Sequence, residues 1–264
     1  MTLELGIVAD EIARDFSRAV AVGKLLGIAR YEVRNLVSGR IPMVLAEELR
    51  ELEETVRREE IRITAISPGL FKNTADEAAF ERDMTEIYPR AAELAHRWGL
   101  PGLIVFGFRK AEGSRTAEWF ARAGERAAAD GLLLMIEPEP VCAVDSARVA
   151  AETIRRAGSP ALRLNYDPGN VAWLENRDPI GEFDAAAPLI ANVHVKDLRP
   201  LEHGPEKPEW VAAGEGMIDW RAHFQRLRET GYEGPVSLEP HIMYGGAETI
   251  RRCKAACEKA WGDQ

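Results

Sequence analysis

LLLMIEPE, residues 132–139, decides how this chain is read: five apolar residues in a row, then Glu137, Pro138 and Glu139. So short and so continuous an apolar run suits a strand buried on both faces, as strands of parallel sheets are. Pro138 has no N–H to give a neighbouring strand, so it marks where pairing stops and leaves Glu137 at the rim. Three later runs end in the same manner. LRLNYDPGN (162–170) closes on Asp167, IANVHVKD (190–197) carries His194, Lys196 and Asp197, and VSLEPH (236–241) closes on Glu239 and repeats the Glu-Pro pair.

Working outward, runs of the same kind recur about every thirty residues, at 3–8, 29–33, 61–66, 102–106, 132–136, 162–166, 190–195 and 236–238. Between them, 17–26, 44–58, 77–98, 116–129 and 146–156 show helical periodicity with charged outer faces, as do 220–230 and 247–261. The sixth helix is short, and Pro42 suits the start of the second. Eight repeats of strand then helix predict an α/β chain folded as a single (β/α)8 barrel, one domain over residues 1–264. A composition 46% hydrophobic can fill one core of that size. The Gly- and Pro-rich stretch 200–216 falls after the seventh strand, where barrels place long functional loops, and the active site is expected at the C-terminal ends of the strands.

The formal charge of −9, without a long Lys/Arg run, argues against a nucleic-acid partner. Residues 1–10 lack the basic start and apolar stretch of a secretory signal. No segment approaches the roughly 18 uninterrupted apolar residues of a spanning helix. The expectation is a cytoplasmic protein without a membrane partner, compatible with a homo-oligomer. Three cysteines, Cys142, Cys253 and Cys257, are an odd number and suit a reducing compartment.

A carboxylate or imidazole that ends a buried run needs a partner, because an isolated buried charge costs several kcal/mol or a large pKa shift. Four such groups, Glu137, Asp167, His194 and Glu239, fall at neighbouring strand ends and could share one cation. Taken singly, each could equally be a rim group held by backbone amides; the joint occurrence points to a site.

The segments Ile136-Glu137-Pro138, Tyr166-Asp167-Pro168-Gly169-Asn170, Val193-His194-Val195-Lys196-Asp197, Gly214-Glu215-Gly216-Met217-Ile218-Asp219-Trp220 and Leu238-Glu239-Pro240 resemble the xylose-isomerase-like barrels over nearly the whole chain. Within them the chain is most similar to the sugar (phosphate) isomerase/epimerase branch, which includes ketose 3-epimerases, hydroxypyruvate isomerases and inosose dehydratases. The resemblance implies that Glu137, Asp167, His194 and Glu239 are metal ligands, with Glu137 and Glu239 also the catalytic acid/base pair. Asn170 stands where those epimerases commonly carry a histidine, and Arg199 is a rough match to their substrate-contacting arginine. Endonuclease IV shares the fold, but its trinuclear zinc site needs more histidines than the five present.

Three carboxylates and one imidazole make a hard, oxygen-rich site that favours Mn²⁺, with Mg²⁺ or Co²⁺ as alternatives. The expected function is isomerisation or epimerisation of a small keto sugar or polyol, by proton transfer through a metal-bound enediolate. Lys196 is a candidate donor to a substrate oxygen, or else a partner of Asp197. Asn170, Glu139, His241, Trp173 and Arg199 are further candidate substrate contacts, with Trp210 a second aromatic cover. Glu32 and Arg34 are either part of the wall or an internal pair. The absence of a Gly-rich loop after the last two strands disfavours a phosphorylated substrate. Two other readings compete. One is a lyase resembling inosose dehydratase on the same metal site, and the other is a sugar-binding barrel without catalysis, which the loss of a ligand would mark.

Overall fold

The apolar runs become strands because their residues are buried on both sides. Every residue of the fourth, Gly102–Phe106, is buried, and so is every residue of the first, Leu5–Val8. The computed structural model describes residues 3–112, 115–199, 208–242 and 246–262. In chain order the strands are β1 (Leu5–Val8), β2 (Arg30–Val33), β3 (Arg62–Ile66), β4 (Gly102–Phe106), β5 (Leu133–Glu137), β6 (Leu162–Tyr166), β7 (Ile190–Val195), β8 (Asp197–Arg199), β9 (Glu209–Val211) and β10 (Val236–Leu238). All but β8 and β9 pair in parallel and close into a barrel, in the order β1-β10-β7-β6-β5-β4-β3-β2. The neighbours of the four candidate strand ends are thereby fixed: β5, β6, β7 and β10 are consecutive around the barrel.

The helices are α1 (Phe16–Leu25), α2 (Ala46–Glu59), α3 (Glu77–Arg82), α4 (Tyr88–Arg97), α5 (Thr116–Ala129), α6 (Ala147–Ala157), α7 (Pro168–Glu175), α8 (Phe183–Ala186), α9 (Trp220–Glu229) and α10 (Gly246–Gly262). Several begin where the sequence supplies a cap. The side chains of Asp15, Ser146 and Asp219 accept from the backbone N–H groups of Arg18, Val149 and Ala222.

The structure differs from the sequence expectations in three places. The segment 77–98 is helical as expected almost to its end at Arg97, but not uniformly α: a π-helical turn, Asp83–Ile87, lies between α3 and α4. Pro89, in the first turn of α4, has no N–H to give the carbonyl four residues earlier, and its ring crowds that carbonyl, so the ladder widens there. Pro42 precedes α2 as expected, but the helix starts at Ala46, two residues later than the expected 44. The loop after β7 is not wholly irregular: β8 and β9 pair antiparallel, Leu198 opposite Trp210. Residues 200–207 of the long loop expected there lie outside the described residues. Among the described residues, no helix is long and apolar enough to cross a membrane.

Candidate metal centre and active site

Glu137 is the last residue of β5, opposite Phe106 in the β4 ladder, and Pro138 ends the strand as expected. Asp167 directly follows β6 and caps α7: its Oδ1 accepts from the Asn170 backbone N–H at 3.0 Å. Capping fixes the carboxylate and leaves Oδ2 facing Lys196 Nζ at 2.9 Å. His194 lies in β7, and Glu239 directly follows β10, its backbone N–H donating to the Val195 carbonyl at 2.9 Å. All four side chains are buried, and one ligand atom from each lies within 4.8 Å of the others.

The groups around them fix their orientation. His194 Nε2 lies 2.8 Å from Glu32 Oε2, so the ring turns Nδ1 toward Glu239 Oε2 at 3.1 Å and Glu137 Oε2 at 3.8 Å. Asn192 Nδ2 donates to Glu32 Oε1 and to Asn165 Oδ1, both at 2.9 Å. Asn165 Nδ2 in turn donates to Glu137 Oε2 at 3.2 Å. Glu239 also receives the Arg34 guanidinium, which pairs with Asp10 at 3.1 Å and Glu11 at 2.9 Å. Glu32 and Arg34 therefore have separate partners and are not a pair with each other.

This donor set fits a divalent cation. Three carboxylates and one imidazole nitrogen converge, and the histidine is backed by a carboxylate on its far nitrogen, the usual support of a metal-binding imidazole. Glu239 Oε2 is buried without a directed hydrogen bond, although Lys196 Nζ lies 2.7 Å away and supplies charge. That ammonium balances the carboxylate within the protein, so the fit to a cation rests on the convergence of the four donors.

The two glutamates are driven apart in acidity. Burial, reinforced by the charge of Glu239, pushes the Glu137 carboxyl up to about 7. Burial would raise Glu239 too, but Lys196, His194, His241 and Arg34 outweigh it and hold its carboxyl well below the usual range. At His194, burial opposes the charged ring, while Glu32, Glu239 and Glu137 together carry its pKa well above the usual imidazole value. Two facing carboxylates of opposite proton preference are the arrangement that acid/base chemistry uses.

Glu137, His194 and Glu239 line a cavity of about 210 Å³ together with Glu139 and His241, whereas Asp167, Asn170, Trp173 and Lys196 do not reach its wall. Glu139 pairs with Lys72, and His241 Nδ1 lies 3.1 Å from Glu11 Oε1. Lys196 is buried between Asp167 and Glu239, not paired with Asp197, whose carboxylate instead accepts the backbone N–H groups of Leu198, Gly214, Gly216 and Ile218. Asn170 Nδ2 donates to Glu137 Oε1 at 3.2 Å, so it orients the glutamate. Trp173 stacks on Trp210 with ring centroids 4.5 Å apart, and Lys196 Nζ lies 5.5 Å from the Trp210 centroid. Arg199 is exposed on β8, near Glu209 at 3.5 Å, and does not line the cavity. The hairpin carries its side chain outward.

Sequence reasoning missed Asn165, Asn192, Arg40 and Lys72. The two asparagines had a signal, as polar residues inside otherwise buried runs. Arg40 and Lys72 sit in loops whose approach to the site depends on the closed barrel.

A family model described as a xylose isomerase-like TIM barrel matches residues 25–257. Inosose dehydratase of Lacticaseibacillus casei is 23% identical over 144 residues, 50% of this chain and 48% of that protein. The chain thus spans about half the length of that curated relative. Among solved structures, the apo form of 3-keto-D-glucoside 4-epimerase from E. coli superposes with a TM-score of 0.74 at 16% identity, covering 98% of this chain and 99% of that one. A xylose isomerase-like TIM barrel protein from Mycobacterium smegmatis in complex with magnesium has a TM-score of 0.73 at 16% identity, with 93% and 88% covered. At these identities the structural likeness carries the fold.

Proposed function

The chain belongs to the xylose isomerase-like TIM barrel family, and on that premise we propose that it is a divalent-metal-dependent isomerase or epimerase of a small keto sugar or polyol. The observation that carries this reading is the convergence of Glu137, Asp167, His194 and Glu239, from four consecutive barrel strands, on one point. Those four residues would hold the ion, and Mn²⁺ suits the hard donors best, with Mg²⁺ or Co²⁺ next. When bound, the cation supplies positive charge that acidifies the C–H beside a carbonyl.

The chain's own residues do the remainder. The glutamates project from β5 and β10, strands separated by β6 and β7, and take up and return the proton. Asn165 and Asn170 each hold one oxygen of Glu137, fixing the carboxyl plane for transfer. Lys196, buried beside both Asp167 and Glu239, holds these two carboxylates in place. Glu139 and His241, which line the cavity, meet substrate hydroxyls.

The match to an inosose dehydratase supports a second reading, in which the same proton removal expels a neighbouring hydroxyl. One experiment addresses both. Chelation should abolish turnover of a ketose and cyclic-polyol panel, and Mn²⁺, Co²⁺ or Mg²⁺ should restore it. The product's mass then separates isomerisation, which conserves mass, from dehydration, which loses water. Full turnover by a demonstrably metal-free preparation would overturn the proposal.

A further inference from the structure

The loops after β2 and β3 carry three cations to the cavity, Arg34, Arg40 and Lys72. Arg34 is matched by Asp10, Glu11 and Glu239, and Lys72 by Glu139. Arg40 differs. Among the described residues no carboxylate pairs with it; its Nε donates to the Ser67 carbonyl at 2.9 Å and its Nη2 to the Ser67 hydroxyl at 2.7 Å, both neutral acceptors. Its guanidinium carbon lies 5.4 Å from the centroid of the Phe106 ring, and Lys72 Nζ lies 4.6 Å from the same centroid. Burial, together with the charge of Arg34, pushes the Arg40 pKa down.

The seat of this arginine is shaped. An antiparallel bridge from Asn35 to Arg40 folds the loop after β2 back on itself. Gly69, at φ +82°, lets the side chain pass: a Cβ there would come 2.9 Å from Arg40 Nε. A half-buried guanidinium held by two neutral acceptors keeps donors free, and forked N–H groups match the oxygens of a carboxylate or phosphate.

We infer that the substrate carries an oxyanion group, a carboxylate or a phosphate, which Arg40 grips beside Lys72 over the Phe106 ring. Arg40 is thus the residue that selects acidic keto sugars over neutral ones. This rests on the proposed keto-sugar reading and adds the substrate's charge to it. The seat lies on the loops after β2 and β3, away from the loops after the last two barrel strands where barrels place a Gly-rich phosphate turn.

The test is binding, measured by calorimetry on the full chain loaded with Mn²⁺, using three six-carbon probes: D-fructose, 2-keto-D-gluconate and D-fructose 6-phosphate. D-gluconate serves as an anion without a ketone. The expected result is that one or both anionic ketoses bind roughly tenfold or more tighter than fructose. The favoured probe tells carboxylate from phosphate. In Arg40→Met, which keeps the stem over Phe106, the anionic-to-neutral ratio should fall toward one, and Arg40→Lys should restore part of it. Equal affinities in the wild-type protein, or an unchanged ratio in Arg40→Met, overturn the inference. The failures are distinguishable. If fructose binds as well as its acidic analogues, the charge assignment is wrong and the keto-sugar reading stands. If gluconate binds through Arg40 as tightly as the acidic ketoses, the anion seat stands and the keto-sugar reading fails.

Discussion

His194 Nε2 and Glu32 Oε2 lie 2.8 Å apart, both buried, so an acid from β2 sets the ring orientation of a candidate ligand from β7. A carboxylate on the far nitrogen fixes the tautomer and raises the basicity of the other nitrogen. Glu32→Gln keeps an acceptor in place and removes the charge. Its affinity for Mn²⁺ should fall by roughly tenfold to a hundredfold, read by metal titration with little change in the folded signal. Unchanged affinity would show that Glu32 does not support the ligand.

Metal affinity should rise with pH through about 7. Burial, with the charge of Glu239, holds the Glu137 carboxyl up at about 7 in the metal-free protein, and His194 also favours its protonated form. Both must lose protons to ligate, so binding releases protons and is weakened below that pH. Calorimetry in buffers of different ionisation enthalpy should report net proton release. Affinity independent of pH between about 6 and 8, with no buffer dependence, contradicts the ligand assignment.

The barrel was legible because its strands are brief apolar runs, each followed by a helical period, and the Glu-Pro pairs at Glu137 and Glu239 marked two rims. What was not legible depends on closure. Glu32 stands 162 positions before His194 in sequence, and only the closed barrel makes them neighbours. Lys196 next to Asp197 suggested a local ion pair. The strand geometry instead sends the lysine inward to Asp167 and Glu239, while four backbone amides claim the aspartate. Arg199 resembled a substrate arginine by its place after β7, but no periodicity announced the hairpin that turns it to solvent.

Asp197 organises the loop beyond β7, with each carboxylate oxygen accepting two amides: Leu198 and Ile218 on Oδ1, Gly214 and Gly216 on Oδ2. A Cβ at Gly216 would lie 2.1 Å from Oδ1, so the turn is closed around the acid. Asp197→Ala leaves several buried donors unmet and should cost roughly 3 kcal/mol or more of stability. Asp197→Asn should also destabilise, because its NH₂ faces amide donors. Urea denaturation checks both, and a change within about 0.5 kcal/mol for the alanine variant would remove this role.

The most direct measurement for the proposed chemistry is the fate of the proton. Metal-loaded protein turning over its ketose in D₂O should place deuterium on the carbon beside the carbonyl, because a carboxyl at the rim exchanges with solvent between removal and return. Glu137→Gln and Glu239→Gln, compared at saturating Mn²⁺ so that a weakened ligand is still filled, should each cut the exchange rate by roughly a hundredfold or more. NMR of recovered substrate and product reads both. Deuterium at that carbon, lost in the two variants while Mn²⁺ remains bound, is the predicted result. Turnover that breaks the C–H bond without incorporating deuterium, together with normal rates in both metal-loaded glutamine variants, would contradict it.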